Sequence, residues 1–309
     1  MPNKPILLIA FGGNALIKKG QSGTASQQLS NLTAPLEQLA KLSRDYRIVI
    51  THGNGPQVGN LLLQQEACSE VPTMPLEIIG AMTQGQIGYM IESTLDTSLM
   101  FLGIEDKRFV TLITYVVVDD NDPGFANPTK PIGPFYSPED ADKVPYTLKM
   151  TDKGLRRVVA SPRPKTIVER HEIKQLVDMD FIVICCGGGG IPVIRHGRKF
   201  TGVEAVIDKD LASSVLASEI RADLFVIATD VSGAYIDWGK DGQALLKSLS
   251  VEELREYSRQ GQFPSGSMDP KVRAIAEFVE KTGNRGVICN LDDITEAIAG
   301  RSGTQVTRA

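Results

Sequence analysis

The stretch Phe181-Ile-Val-Ile-Cys-Cys186-Gly-Gly-Gly-Gly190, followed by Ile191–Arg195, Arg198–Thr201 and Gly202-Val-Glu-Ala-Val-Ile-Asp-Lys-Asp-Leu-Ala-Ser213, decides the fold. Its first six residues are an unbroken apolar run, the pattern of a strand buried on both faces. Four glycines stand at its carboxyl end. Such a run has a high conformational entropy in the unfolded chain, and two readings are open: a tight turn, or a backbone that something approaches closely. The two extended runs, joined at His196-Gly197, form a hairpin pattern. Asp208 then stands where a helix cap belongs, ahead of Leu211, Val215 and Leu216. Lys209 falls in the first turn of that helix, where the dipole is already positive. A lysine is unfavourable there unless an anion such as phosphate occupies the spot. Asp208 and Asp210 flank it and can hold its ammonium; taken alone, an exposed lysine between two acids also fits.

The same rhythm extends in both directions. Pro5–Phe11 is an apolar strand ending in Gly12-Gly-Asn-Ala15, and Leu29, Leu32, Leu36 and Leu39 mark a helix by their spacing. Arg47–Thr51 is a second strand, ending in His52-Gly-Asn-Gly-Pro-Gln-Val-Gly59. Further on come a helix through Ile87, Ile91 and Leu95, a strand over Phe109–Val118, and a helix holding Ile167, Ile173, Leu176 and Val177. Asp223–Thr229 is a strand ending in Asp230, Ser250 and Glu253 make a capping box, Arg285–Asn290 is another strand, and Gly303–Thr307 closes the sheet edge. The alternation predicts an α/β fold, a three-layer αβα open and mostly parallel sheet with ligands at the carboxyl strand ends. Asp119–Val159 breaks the rhythm with Pro123, Pro128, Pro131, Pro134, Pro138 and Pro145. An irregular stretch of that length reads as a small inserted, projecting subdomain. Lys130 sits there between prolines, either held rigidly over an active site or solvated in a loop.

Composition limits the rest. The 309 residues are 42% hydrophobic and 23% charged, ordinary for a globular chain with a sizeable core. A net charge of -4 gives no electrostatic case for nucleic acid or an anionic membrane. No apolar run approaches the ~18 residues of a membrane span, and Met1–Pro5 lacks the pattern of a signal peptide. Cys68, Cys185, Cys186 and Cys289 have no metal or disulfide spacing and read as buried free thiols in a reducing cytoplasm.

The familiar nucleotide motifs are missing. There is no Gly-x-x-x-x-Gly-Lys-Ser/Thr, and Gly53–Gly59 departs from the dinucleotide fingerprint by a late third glycine and by Pro56. No His–Cys cluster suggests zinc. Of the three histidines only His52 lies beside a glycine-rich loop, and it reads as structural, with a pH-dependent role as the alternative. What recurs is the anion cradle at a strand end: Gly12-Gly-Asn14, Gly53-Asn-Gly55 and Gly187–Gly190. A fourth is Phe263-Pro-Ser-Gly-Ser-Met-Asp-Pro-Lys271, with Asp269 as cap and Pro270 at the first position of a helix through Val272, Ile275, Ala276 and Val279. Lys271 is then a second lysine in the first turn of a helix. Two such lysines beside glycine-rich loops indicate a polyphosphate site and phosphoryl transfer. Without an evident general-base histidine, the acceptor is expected to be an anion already, a carboxylate or carbamate.

At full length the chain resembles the carbamate kinases of the amino acid kinase family. The resemblance rests on Gly12–Ala15, Thr51–Gly59, Ala81-Met-Thr-Gln-Gly85, Asn127-Pro-Thr-Lys-Pro-Ile-Gly-Pro134, Ser161-Pro-Arg-Pro164, Cys186–Val193, Gly202–Asp210 and Gly266–Lys271. It implies a cytoplasmic homodimer catalysing ATP + carbamate ⇌ ADP + carbamoyl phosphate with magnesium, run toward ATP synthesis in fermentative arginine or purine routes. It further implies a carbamate-side lobe, 1–210, carrying a subdomain at about 119–159, and a nucleotide-side lobe, 211–309. By position, Lys209 and Lys271 would neutralise the phosphoryl group, Asp210 would orient them, and Lys130 would close over carbamoyl phosphate. Gly12, Gly13, Asn14, Gly53, Asn54 and Gly55 would hold the carbamate side. Gly187, Gly188, Thr229, Asp230, Val231, Tyr235 and Met268 would line the nucleotide site with Lys271. The metal ligands stay open: Asp210 and Asp230 are candidates, and magnesium held by phosphates and water alone is the alternative. One departure stands out: Thr151-Asp-Lys-Gly-Leu-Arg-Arg157 replaces the family's acidic-Ala-Gly-Arg-Gly-Trp-Arg, which bears on the packing of the subdomain. Two other functions are compatible with these residues, a same-fold kinase for another small carboxylate and a non-catalytic nucleotide sensor.

Overall fold

Strands Ile6–Phe11, Arg47–His52 and Leu224–Thr229 are buried at every position, as expected of a parallel sheet covered on both faces. They lie in the middle of an eight-stranded sheet in a computed structural model, which describes residues 4–139, 144–151, 154–264 and 266–308, Asn14 through its backbone alone. The spatial order is Ser248–Ser250, Thr304–Thr307, Arg285–Asn290, Leu224–Thr229, Ile6–Phe11, Arg47–His52, Phe181–Ile184 and Arg108–Thr111. Every pairing is parallel except that of Arg285–Asn290 with Thr304–Thr307.

The two-residue period of a strand divides the core. Leu7, Ile9 and Phe11 point to a cluster with helices Ala25–Leu42 and Leu76–Phe101, while Ile6, Leu8 and Ala10 point to one with helices Lys209–Glu219 and Asp269–Thr282. This is the expected three-layer αβα fold. The first strand has Arg47–His52 on one side and Leu224–Thr229 on the other, so the chain order reverses there. A crevice opens at the carboxyl end of such a switch point. Gly12, Gly53 and Asp230 follow the ends of those three strands directly. The lobe boundary expected at 210 falls within the first turn of helix Lys209–Glu219, and the sheet runs unbroken across it.

The inserted segment has its own antiparallel sheet, ordered Lys130–Tyr136, Gly154–Val159, Leu148–Thr151. Ile132 and Val159 pack it against Val58 and Leu62 of helix Gly55–Glu66. Two polar contacts add to that seam. Tyr146 donates its hydroxyl to Glu66, and Arg157 pairs with Glu204 while lying 4.3 Å over the Tyr146 ring. Of the unusual segment at 151–157, residues 152 and 153 lie outside the described residues, and Arg157 is a fastening point to the body of the protein.

Four local expectations are corrected. Phe109–Val118 is two strands, Arg108–Thr111 in the central sheet and Tyr115–Val117 in a second sheet with Ile191–His196, Lys199–Gly202 and Thr166–Ile167. The corner follows from Gln84, which bonds the backbone N–H and C=O of Thr114 and turns the chain. Ile167 belongs to a strand, and the helix after it begins at Arg170. Thr304–Thr307 is an inner strand, with Ser248–Ser250 at the edge. Cys185, Cys186 and Cys289 are buried, but Cys68 is exposed. Among the described residues no helix is long and apolar enough to cross a membrane.

Helix Asp269–Thr282 is seated by Phe278, fully buried and edge-on to Phe225 with ring centroids 5.4 Å apart. Replacing Phe278 by Ala leaves a cavity between helix and sheet and is expected to destabilise the protein by about 3–5 kcal/mol. A urea unfolding midpoint within error of the parent protein would show that this contact does not seat the helix.

Candidate active site

The first strand, its two neighbours and the starts of two helices surround a cavity of about 500 Å³. Helix Lys209–Glu219 begins with Asp208 as its cap, whose Oδ1 accepts from the backbone N–H groups of Asp210 and Leu211. Capping fixes the first turn, and with it the directions of Lys209 and Asp210. Ser213 donates to the carbonyl of Lys209 and meets Thr51 at 2.7 Å, tying that turn to the second strand. The helix is locked to its neighbour by Ser214, which donates to the carbonyl of Ala274 at 2.7 Å. Lys271, in the first turn of the neighbouring helix, is thereby brought beside Lys209.

Asp210 joins them. Its Oδ1 receives the Lys209 ammonium and its Oδ2 receives that of Lys271 at 3.0 Å. The carboxylate is 4% exposed and the two lysines 12% and 14%, so water screens none of the three strongly. Burial alone would raise the Asp210 carboxyl, but Lys209 and Lys271 outweigh it and hold it well below the usual carboxylate range. Burial pushes Lys209 below the ordinary lysine range, against the pull of Asp210. Burial opposes the charge on Lys271 too, and there Asp210 prevails and raises it. Two ammonium groups share one carboxylate. Counted alone, these three groups carry a net positive charge; the Asp230 carboxylate on the same cavity wall lies close enough to favour the charge on Lys271.

Gly12, Gly13, Gly53, Asn54 and Gly55 line this cavity together with Thr229, Asp230, Val231, Tyr235 and Met268, and Lys130, Lys209, Asp210 and Lys271 are among its walls. Asn14 stands in the turn Gly13–Ala15, its side chain outside the described residues. Gly53 is needed because a Cβ there would come within 3.3 Å of both the Gly13 backbone and the Lys209 side chain. The lysine stem runs over bare backbone. The glycine run of 187–190 has a different cause from a ligand's approach. A Cβ on Gly188, which also has φ +67°, would sit 2.1 Å from Asn54, and one on Gly187 would sit 2.5 Å from His52. Gly188 thus lies on the cavity wall beside Asn54, and Gly187 is turned toward His52. Asp269 is the first helical residue rather than the cap, and its carboxylate pairs with Arg273 at 2.9 Å.

Sequence reasoning missed Trp238. It lines the cavity half exposed, edge-on to Tyr235 with centroids 5.1 Å apart. A lone tryptophan in the polar run Asp237-Trp-Gly-Lys-Asp-Gly242 was the available signal, since such a residue has little reason to face water. Among the described residues no group of three or more His, Cys, Asp or Glu side chains is placed to hold a metal ion. Both oxygens of Asp210 are engaged by lysines.

The sequence model of the amino acid kinase family matches residues 5–290. The chain belongs to the amino acid kinase family. It is 49% identical to a carbamate kinase of Thermococcus kodakarensis over 98% of this chain and 99% of that one. It is 46% identical to a carbamate kinase of Haemophilus influenzae, over 98% and 96%. The solved carbamate kinase from Giardia lamblia bound to AMP-PNP matches with a TM-score of 0.93 and 39% identity, covering 99% of both chains. In this amino acid kinase, the strand-end glycines, the paired lysines and the aromatic wall share one cavity.

His52, on the second strand, is buried against Gly187 with Nδ1 3.1 Å from the Gly53 carbonyl. Burial lowers its pKa to about 4, so the folded protein holds a neutral imidazole. The folded value lies below the unfolded one of 6.5. Stability from this group is therefore fully present above pH 6.5 and lost as pH falls toward 4, by on the order of 3 kcal/mol. His52→Gln should flatten that part of the stability profile. Parallel urea-midpoint profiles for the two proteins over that range would contradict the assignment.

Proposed function

We propose that this amino acid kinase is a carbamate kinase, transferring the phosphoryl group reversibly between ATP with carbamate and ADP with carbamoyl phosphate. The observation that carries the reading is Asp210 holding Lys209 and Lys271 side by side, at two helix starts, inside the cavity. Phosphoryl transfer asks a protein for alignment and for fixed positive charge where charge moves. The two ammoniums supply that charge, already oriented before substrate arrives. Carbamate is an anion and needs no general base, which agrees with a buried, neutral His52 that lies behind the glycine wall.

The lining of the cavity supports a division between two substrates. The side-chain-free backbone of Gly12, Gly13, Gly53, Gly55 and Gly188, with Asn54, leaves room for a small planar anion, with Lys130 on the same wall at the start of the inserted sheet. Val231, Tyr235, Trp238 and Met268 give an apolar, aromatic wall suited to a nucleoside, with Thr229 and Asp230 in the same lining. The lobe division follows the same lines, residues up to 210 serving the carbamate side and the remainder the nucleotide side. Magnesium enters with the nucleotide, held by its phosphates and water. We place the enzyme in the cytoplasm, in the ATP-forming direction of fermentative arginine or purine routes. It is further proposed to be a homodimer: helix Leu76–Phe101 exposes Ile78, Met82 and Tyr89 at helical spacing, a stripe that a second copy would cover.

ATP formation from ADP and carbamoyl phosphate is the direct assay, with glutamate or acetylglutamate plus ATP as the competing pair. Lys209→Ala and Lys271→Ala are each expected to lower kcat by about 10²–10³-fold or more. Turnover near that of the parent enzyme in either variant would refute the reading, and nucleotide binding without turnover in the parent protein would make it a sensor.

A further inference from the structure

Asp208 has two oxygens with two different duties. Oδ1 caps the helix that carries Lys209 and Asp210, as above. Oδ2 accepts a hydrogen bond from the ammonium of Lys130, at 2.9 Å. These partners are 78 residues apart, one on the central body and one at the start of the inserted sheet. The backbone beneath them is also joined, since Val206 donates to the carbonyl of Ala160 at 2.9 Å and Ala205 bridges Ala160. The Asp208 side chain is 15% exposed and that of Lys130 35%, so the carboxylate end of this contact is sheltered and the ammonium end partly open to solvent.

We propose that Asp208 is a positioning residue for the transfer reaction, mounting Lys130 of the inserted sheet on the helix that carries Lys209. The inference rests on the reading of the cavity as a carbamoyl phosphate site. An ammonium has three N–H donors, so Lys130 can keep its bond to Asp208 and direct another toward a phosphoryl oxygen in the cavity. A long lysine side chain left unpaired would have to lose its rotamer freedom on substrate binding; held by Asp208, it has lost much of it beforehand. The cap and the mount share one carboxylate. The inserted sheet and the catalytic helix are therefore kept in register at the point where both meet substrate.

Asp208→Asn separates the two duties, because asparagine caps helices about as well as aspartate but presents an amide where Lys130 needs a charged acceptor. Asp208→Ser is a second variant that keeps a capping oxygen and has no other. In each, KM for carbamoyl phosphate should rise about tenfold, with KM for ADP and kcat within about twofold. In a Lys130→Ala background the same substitution should change KM for carbamoyl phosphate by less than twofold. Multiplicative effects of the two substitutions would overturn the proposal while leaving the carbamate kinase reading intact. Absence of ATP-forming activity in the parent enzyme would instead remove that reading. A readout free of turnover covers that case: amine labelling at neutral pH, read by mass spectrometry. Asp208→Asn should speed labelling of Lys130 several-fold and leave Lys149, which pairs with Asn127, unchanged. Equal Lys130 labelling in the two proteins would overturn the mount.

Discussion

One carboxylate between two ammoniums is the constraint on which the site depends. Two buried lysines at helix N-termini are unfavourable on three counts: desolvation, mutual repulsion and the sign of the helix dipole. Asp210 offsets part of this, with Asp208 and Asp230 close enough to contribute, and on the proposed reading a phosphate chain supplies the remainder. The geometry costs stability in the empty protein and is held by what lies beneath it. Ser214 on the Ala274 carbonyl fixes the helix pair, and Ser213 with Thr51 fixes the first turn to the sheet. Neutral hydrogen bonds beneath the site thus support the charged contacts of Asp208 and Asp210 that set the lysines.

Around that cluster the parallel sheet contributes position. Its switch point puts Gly12, Gly53 and Asp230 at neighbouring strand ends, on the walls of the same cavity as the lysines. The inserted antiparallel sheet closes over it from helix Gly55–Glu66, through an apolar seam of Val58, Leu62, Ile132 and Val159. Polar contacts add to that seam, Tyr146 with Glu66, Arg157 with Glu204 and Lys130 with Asp208. A cover over a fixed floor is a build suited to an enzyme that must exclude water and then release product.

Much of this was legible in the sequence because it follows from local rules. The buried strands carry uninterrupted aliphatic runs, Asp208 and Ser250 cap where their spacing says, and Lys209 and Lys271 betray themselves by opposing a dipole. What failed depended on partners far along the chain. Nothing within Phe109–Val118 signals that Gln84 will turn it at Thr114. The glycines at 187–190 indicated close approach, but the approaching groups are Asn54 and His52 of the protein itself. The second duty of Asp208 needed Lys130, brought from another sheet, and Trp238 gains meaning only when Tyr235 and the cavity wall surround it.

The central claim is that Lys209 and Lys271 grip the phosphoryl group in flight. It is tested most directly by a crystal structure with ADP, carbamate and a planar metal-fluoride mimic of the transferring group. Both ammonium nitrogens should lie within hydrogen-bonding distance of the mimic or its bridging oxygens, with Asp210 still between them. A mimic bound in line between the two substrates, with both lysines turned away from it, would contradict the account.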